Sequence, residues 1–202
     1  DDASGREWTY AEAETRARAL AARLRDDYGL CRGDRIGVYA HNCAEYVFLF
    51  LACVKLGTVL VPLNFRLTPR EVDILLADAE PALLVHDEML AGAAAQLEAV
   101  PAGARRAETA AFADVIDAGV DDFSPDRRGE LDDLVLILYT AGTTGLPKGA
   151  MNNHRMLLWN SINTPLLLYL TTTDNSQAYA PFFHTVGWNV LLTPFMHDGA
   201  RH

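Results

Sequence analysis

The sequence lacks an excess of positive charge. Its 202 residues carry 17 Lys and Arg against 27 Asp and Glu, which gives a formal net charge of −10. A surface of that sign repels the phosphates of nucleic acids, so the composition argues against a nucleic-acid-binding protein. It does not argue against a nucleotide ligand, because the local field of one loop can override the net charge.

Cysteine is scarce, and a long apolar run is absent. Cys31, Cys43 and Cys53 are odd in number, and neither they nor the histidines show the spacing of metal ligands.

Residues 46–63 are the stretch most easily mistaken for a membrane span, but the uninterrupted apolar run ends at residue 54. A bilayer needs about 20 such residues, so no span is predicted. With no signal-like segment at its start, the chain is expected to be cytoplasmic.

Helix signals alternate with short apolar runs along the chain. Thr9 and Glu12 form a capping box, Asn42 and Glu45 suggest another cap, and Thr68 precedes a proline at the first helical position. Helices are predicted over residues 8–28, 42–57, 68–79, 91–100 and 154–161. Pro165 is expected to interrupt the last of these helices soon after residue 161. Strands are predicted over residues 36–40, 58–61, 82–86, 134–139, 149–152 and 177–180.

This alternation predicts right-handed βαβ units. The expected fold is therefore α/β, with three α-β-α layers and a mostly parallel sheet. Residues 101–133 are rich in Gly, Pro, Ala and acids, which predicts a solvated connector. We expect a first subdomain over residues 1–128 and the start of a second, incomplete subdomain over residues 129–202. Open sheet edges would favour self-association, so a homo-oligomer is possible.

A glycine- and threonine-rich segment follows the apolar run that ends at residue 139. Residues 139–149 read Y-T-A-G-T-T-G-L-P-K-G. Gly142 and Gly145 let backbone N–H groups converge on an anion, and Lys148 supplies a point charge. A plain turn and a structural loop with an incidental lysine remain alternatives. A Walker-type loop does not, because Pro147 and Gly149 stand where Gly and Ser/Thr are required.

A second cluster of interest is P-F-F-H-T-V-G-W over residues 181–188. Phe182, Phe183 and Trp188 would wall an apolar slot, and His184 would gate it or bind a carboxylate at its end. The alternative is a core aromatic cluster with a satisfied histidine. The remaining histidines show no ligand spacing, and no role is predicted for them: His41, His86, His154, His197 and His202.

Both segments resemble motifs of the adenylate-forming superfamily, in its acyl-CoA synthetase branch. Residues 139–149 match the pattern [YF]-T-[SG]-G-[ST]-T-G-x-P-K-G at ten of eleven positions, with Ala141 where serine is usual. Residues 181–187 resemble P-x-F-H-x-x-G. W-T-Y-A-E, G-D-R-I-G-V-Y-A-H-N and K-L-G-T-V-L-V-P-L-N-F-R-L-T-P-R-E resemble further family stretches. The resemblance covers residues 8–200.

The resemblance implies activation of a carboxylic acid, expected to be a fatty acid, by ATP and Mg²⁺, followed by transfer to coenzyme A. It places His184 in a catalytic role and assigns the acyl site to His184, Gly187 and Trp188. Thr140 becomes the candidate magnesium contact, and the phosphate-binding set is Thr140, Ala141, Gly142, Thr143, Thr144, Gly145 and Lys148. Family members are much longer, so we expect an N-terminal fragment that does not complete catalysis alone. Adenine, ribose and catalytic-lysine contacts are expected beyond residue 202. An amino-acid or aryl-acid adenylation enzyme, or a non-catalytic nucleotide-binding module, remains an alternative.

Overall fold

A six-stranded sheet lies at the centre of the computed structural model, which describes residues 5–119, 123–125, 129–140 and 146–201. The strands are β1 (Arg35–Tyr39), β2 (Val59–Pro62), β3 (Leu83–His86), β4 (Arg105–Glu108), β5 (Leu134–Thr140) and β6 (Lys148–Asn153). Their order in the sheet is β4-β3-β1-β2-β5-β6. The first five strands pair in parallel, and β6 is antiparallel to β5.

Helices cover both faces of this sheet. Successive strand residues alternate between two hydrophobic clusters. Ile36, Leu60 and Leu136 pack with the helices Tyr10–Asp26 and Ala44–Leu56, whereas Val61 and Leu84 pack with the helix Pro69–Ala79. This arrangement confirms the predicted α/β class with a mostly parallel sheet. The helices are α1 (Tyr10–Asp26), α2 (Ala44–Leu56), α3 (Pro69–Ala79), α4 (Ala91–Ala94), α5 (Ala113–Ala118), α6 (His154–Leu168) and α7 (Thr193–Asp198).

Two of the predicted helix caps are confirmed. The Thr9 backbone N–H donates to Glu12 Oε2 at 2.7 Å, and the Glu12 N–H donates to Thr9 Oγ1 at 3.2 Å. Thr68 and Glu71 form the same reciprocal pair at α3. The predicted cap of α2 is wrong: Cys43 occupies the N-cap position and makes no side-chain cap bond.

The sequence interpretation fails in the alanine- and acid-rich region. The helix predicted over residues 91–100 ends at Ala94, and the supposed connector contains β4 and α5. Strand β4 is an edge strand in which only Ala107 is buried, so it has no apolar alternation to reveal it. Side-chain bonds from Arg106 to the carbonyls of Ala94 and Leu97 fasten it to the preceding segment.

Two further predictions near the end of the chain are also wrong. Pro165 does not interrupt α6, which continues through it to Leu168. A proline three residues before the end of a helix removes a single backbone bond, and Pro165 is buried, which offsets that loss. Residues 177–180 form no strand within the described part of the chain.

Both predicted subdomains contribute to one sheet. Strand β5 pairs in parallel with β2 through Leu136 and Leu60, and the Arg32 guanidinium pairs with the Asp133 carboxylate just before β5. The division into residues 1–128 and 129–202 stays a prediction. Within the described ranges, no helix combines the length and apolar character that a bilayer span requires.

Candidate functional site

The two described ends of the predicted phosphate loop lie on the β5–β6 hairpin. Thr140 and Lys148 are paired across this hairpin, and the connecting residues begin directly after the carboxyl end of β5. Residues Ala141, Gly142, Thr143, Thr144 and Gly145 lie outside the described residues, so their assignment to the phosphates stays a prediction. The hairpin pairing expected for residues 149–152 is confirmed.

The two described residues of the phosphate set are exposed at the hairpin tip. Thr140 Oγ1 lies 3.5 Å from the carbonyl oxygen of Lys148, and both side chains are open to solvent. Among residues 5–119, 123–125, 129–140 and 146–201, no carboxylate pairs with the Lys148 ammonium. A threonine hydroxyl and a lysine ammonium on paired strand residues suit a phosphate oxygen and its accompanying Mg²⁺.

Side chains fix the loop end of this hairpin. The Tyr139 hydroxyl donates to Asp78 Oδ2 at 2.6 Å, which ties the end of β5 to α3. Burial and the neighbouring Asp78 carboxylate raise the pKa of Tyr139 above its ordinary value, so the hydroxyl keeps its proton. Gly149 lies opposite: a Cβ there would be 2.9 Å from Cγ2 of Ile137, so the close strand approach excludes a side chain.

The second motif forms a compact turn that exposes His184. The His184 N–H donates to the Pro181 carbonyl at 3.0 Å, and the Gly187 N–H donates to the His184 carbonyl at 3.0 Å. The Val186 N–H donates to His184 Nδ1 at 3.3 Å. Because an amide N–H can only donate, Nδ1 is the acceptor and a neutral ring carries its proton on Nε2. That atom can donate to a substrate carboxylate.

Gly187 and Trp188 are buried behind this turn. A Cβ on Gly187 would lie 2.9 Å from the Pro181 carbonyl oxygen, so only glycine fits. Trp188 is 0% exposed, donates its indole N–H to the Phe182 carbonyl, and packs its ring against Phe50 at a centroid distance of 4.8 Å. This position matches the core-cluster alternative. The assignment of Gly187 and Trp188 to the acyl site stays a prediction, and the burial of the tryptophan does not favour it.

Asn42 holds the segment that leads into the turn, a role that the sequence interpretation missed. Its amide NH₂ donates to the carbonyls of Ala178 and Ala180, each at 2.8 Å, and its Oδ1 accepts from the Phe182 N–H at 3.0 Å. One side chain therefore takes the place of a neighbouring strand, which explains why residues 177–180 form none. The missed signal is positional: Asn42 follows closely on the carboxyl end of a buried strand.

Both motifs lie at the carboxyl edge of the sheet. Thr140 ends β5, Asn42 follows β1, and Phe65, which follows β2, packs edge-on against Phe183 at 5.1 Å. Parallel strands place their carboxyl ends at one edge, where open α/β sheets bind ligands. The structure therefore brings the hairpin and the His184 turn to the same side of the molecule.

Among the described residues, no group of three or more His, Cys, Asp or Glu side chains is placed to hold a metal ion.

The chain is similar to CoA ligases over nearly its whole length. The family model described as AMP-binding enzyme matches residues 2–202. A feruloyl-CoA synthase of Amycolatopsis sp is 37% identical over 196 residues, covering 95% of this chain and 37% of that protein. An indoleacetate–CoA ligase of Aromatoleum aromaticum is 29% identical over 202 residues, covering 96% of this chain and 39% of that protein.

Solved structures show the same fold. ATP-bound MatB from Rhodopseudomonas palustris superposes with a TM-score of 0.85 at 32% identity, over 98% of this chain and 40% of that one. The chain spans less than half the length of the CoA ligases named above.

Proposed function

Because the chain belongs to the family of AMP-binding enzymes, we propose that it is the N-terminal part of an acid–CoA ligase. The whole protein would activate a carboxylic acid with ATP and pass the acyl group to coenzyme A. The observation that carries this proposal is the shared position of the β5–β6 hairpin and the His184 turn at the carboxyl edge of the sheet. The CoA-ligase names of the relatives support it.

The described residues suit the first half-reaction. An oxygen of the acid attacks the α-phosphorus of ATP, and the bond to pyrophosphate breaks, which yields an acyl-adenylate. Negative charge grows on the leaving pyrophosphate, and the Lys148 ammonium and Thr140 hydroxyl would stabilise it there. Mg²⁺, when bound, would neutralise further phosphate charge. The Nε2–H of His184 would hold the attacking carboxylate in place, and the thiol of coenzyme A would then displace AMP.

A ring acid is the second candidate substrate, beside the fatty acid expected from the sequence. Feruloyl-CoA synthase and indoleacetate–CoA ligase are named for acids that contain an aromatic ring. Phe183, half-buried next to His184, presents an aromatic surface of the kind that such a ring would contact. An aromatic acid would therefore compete well with a straight chain at this edge.

The test is acid-dependent exchange of labelled pyrophosphate into ATP by the whole protein. The panel contains acetate, medium and long fatty acids, benzoate, ferulate and amino acids. Lys148→Ala should lower the exchange by about 100-fold or more, as the loss of one charge-stabilising group does. Lys55→Ala is the matched control, because Lys55 is the only other lysine and pairs with Glu14 at 2.5 Å on the surface of the helices.

The outcomes separate the alternatives. Exchange with one class of acid that is lost in Lys148→Ala and kept in Lys55→Ala supports the ligase and names its substrate. Exchange with amino acids alone would favour the amino-acid adenylation enzyme. ATP binding without exchange for any acid would contradict the ligase and favour a non-catalytic nucleotide-binding module. The 202-residue chain alone is expected to show no CoA ester formation.

A further inference from the structure

His41 is held by a carboxylate from the neighbouring strand. It follows β1, and Asp87 follows β3, so the two meet at the carboxyl edge. Asp87 Oδ2 lies 2.7 Å from His41 Nδ1 and also accepts the His41 backbone N–H at 2.7 Å. The other oxygen, Oδ1, accepts the Leu90 N–H at 2.9 Å. A carboxylate with both oxygens engaged fixes the orientation of the ring.

The ring of His41 begins a stack that reaches the His184 turn. Its centroid lies 4.3 Å from that of Phe65, and Phe65 meets Phe183 edge-on at 5.1 Å. The Arg66 guanidinium lies over both phenyl rings, at 5.8 Å from Phe65 and 5.7 Å from Phe183. Aromatic pairs at these distances and tilts attract each other beyond simple burial. The chain of contacts therefore runs from a fixed sheet edge to the residue next to His184.

This stack supplies support that the turn lacks on its own. Residues 181–186 pair with no strand, and His184 itself is exposed. Asn42 secures the backbone up to Phe182, and the next side chain, Phe183, rests on Phe65. The adjacent strands β3, β1 and β2 each lead to one member of the support: Asp87, His41 and Phe65.

We propose that His41 is a positioning residue for the turn that presents His184, acting through Phe65 and Phe183. The consequence for catalysis rests on the proposed function, in which that turn binds the acid. A purely structural role for the His41–Asp87 pair would stabilise the loop at residues 87–90 and leave the turn unchanged. The two roles differ in which part of the chain responds to a substitution.

The test uses the whole protein and three variants. His41→Ala removes the ring, His41→Phe restores a ring over Phe65 without the bond to Asp87, and His86→Ala is the control. His86 serves as the control because it is a second histidine at the carboxyl edge of the sheet, at the end of β3. Its Nδ1 is 3.0 Å from the Asp87 carbonyl oxygen. The readouts are amide hydrogen exchange of the peptide covering residues 181–187, and the KM values for acid and for ATP.

We expect His41→Ala to speed exchange in that peptide and to raise the KM for the acid by about tenfold, the effect of one lost aromatic contact. The KM for ATP should stay within about twofold, since the hairpin is untouched. His41→Phe should recover part of both effects, and His86→Ala should show neither. Uniform acceleration of exchange across the chain, or no change at residues 181–187, would overturn the proposal.

A double substitution tests the route of the effect. Phe183→Leu breaks the stack at its far end, so adding His41→Ala should change exchange at residues 181–187 little further. Independent, additive effects would mean that His41 does not act through Phe183, which overturns the proposal. If the wild-type protein shows no acid-dependent pyrophosphate exchange, the proposed function fails. The hydrogen-exchange data then decide the positioning role by themselves.

Discussion

Replacement of Asn42 by aspartate should release the segment that carries the His184 turn. The substitution keeps the size of the side chain and one acceptor for the Phe182 N–H, but it removes the two donors that face the carbonyls of Ala178 and Ala180. Each lost bond costs about 0.5–1.5 kcal/mol, and a carboxylate oxygen facing a carbonyl oxygen adds repulsion. We expect the free energy of local opening to fall by about 2–4 kcal/mol in total.

Amide hydrogen exchange measures this opening directly. A fall of about 2–4 kcal/mol corresponds to exchange that is about 30- to 1000-fold faster for amides of residues 178–187. The KM for the acid should rise as well if the turn binds it. Exchange in α1 and α3 should not change, because neither helix contacts this amide network.

Asn64→Asp provides the matched control. The Asn64 side chain serves as an acceptor, with its Oδ1 2.9 Å from the Arg66 backbone nitrogen, and aspartate keeps that role. The same chemical change should therefore be nearly silent at Asn64 and damaging at Asn42. Equal effects of the two substitutions, or acceleration of less than about threefold in residues 178–187 of Asn42→Asp, would contradict the anchoring role of the Asn42 amide.

Three further outcomes follow from close contacts and burial. Gly187→Ala should lower the thermal midpoint, with about 1–3 kcal/mol lost to the clash with a carbonyl 2.9 Å away, whereas Gly92→Ala, with open space around it, should not. Tyr139→Phe should raise the KM for ATP and leave the KM for the acid unchanged, because it frees only the loop end of the hairpin from α3. Burial raises the pKa of Cys43 and of Cys53 to about 12, so at pH 8 mass spectrometry should find both unalkylated by iodoacetamide while the exposed cysteine reacts. Because these folded-state values lie above that of the unfolded thiol, 9.0, the stability they confer is complete below pH 9 and lost as pH rises toward 12.

Local signals were enough to predict the scaffold. Capping boxes at Thr9 and Thr68 act over three residues, and the apolar strands owe their character to burial on both faces of a parallel sheet. Such signals are complete within a short window, so α1, α2, α3 and the start of α6, the strands β1, β2, β3 and β5, and the β5–β6 hairpin could be placed from sequence. Strand β4 could not, because an exposed edge strand selects no apolar pattern.

Long-range side-chain contacts account for two of the failures, the cap of α2 and the strand over residues 177–180. Asn42 stands where a helix cap would stand, and the residues that use its amide lie 136 to 140 positions further along the chain. No window around Asn42 contains that information. The sequence also leaves the role of Trp188 open, since an aromatic that lines a slot and one that fills a core look the same in sequence. Only the packing against Tyr46 and Phe50 shows that the ring lies in the core.

The two halves of the candidate site are held in place by different kinds of bond, and this sets how each responds to substitution. Backbone pairing from Leu134 to Thr140 fixes the hairpin, so side-chain changes there leave its position intact, except at Tyr139, whose hydroxyl ties the loop end to α3. The His184 turn has no such ladder and depends on the Asn42 amide and the stack that starts at His41. Recognition of the acid should therefore be sensitive to substitutions beyond the acid site itself. Recognition of ATP should be sensitive mainly to residues of the loop, such as Lys148.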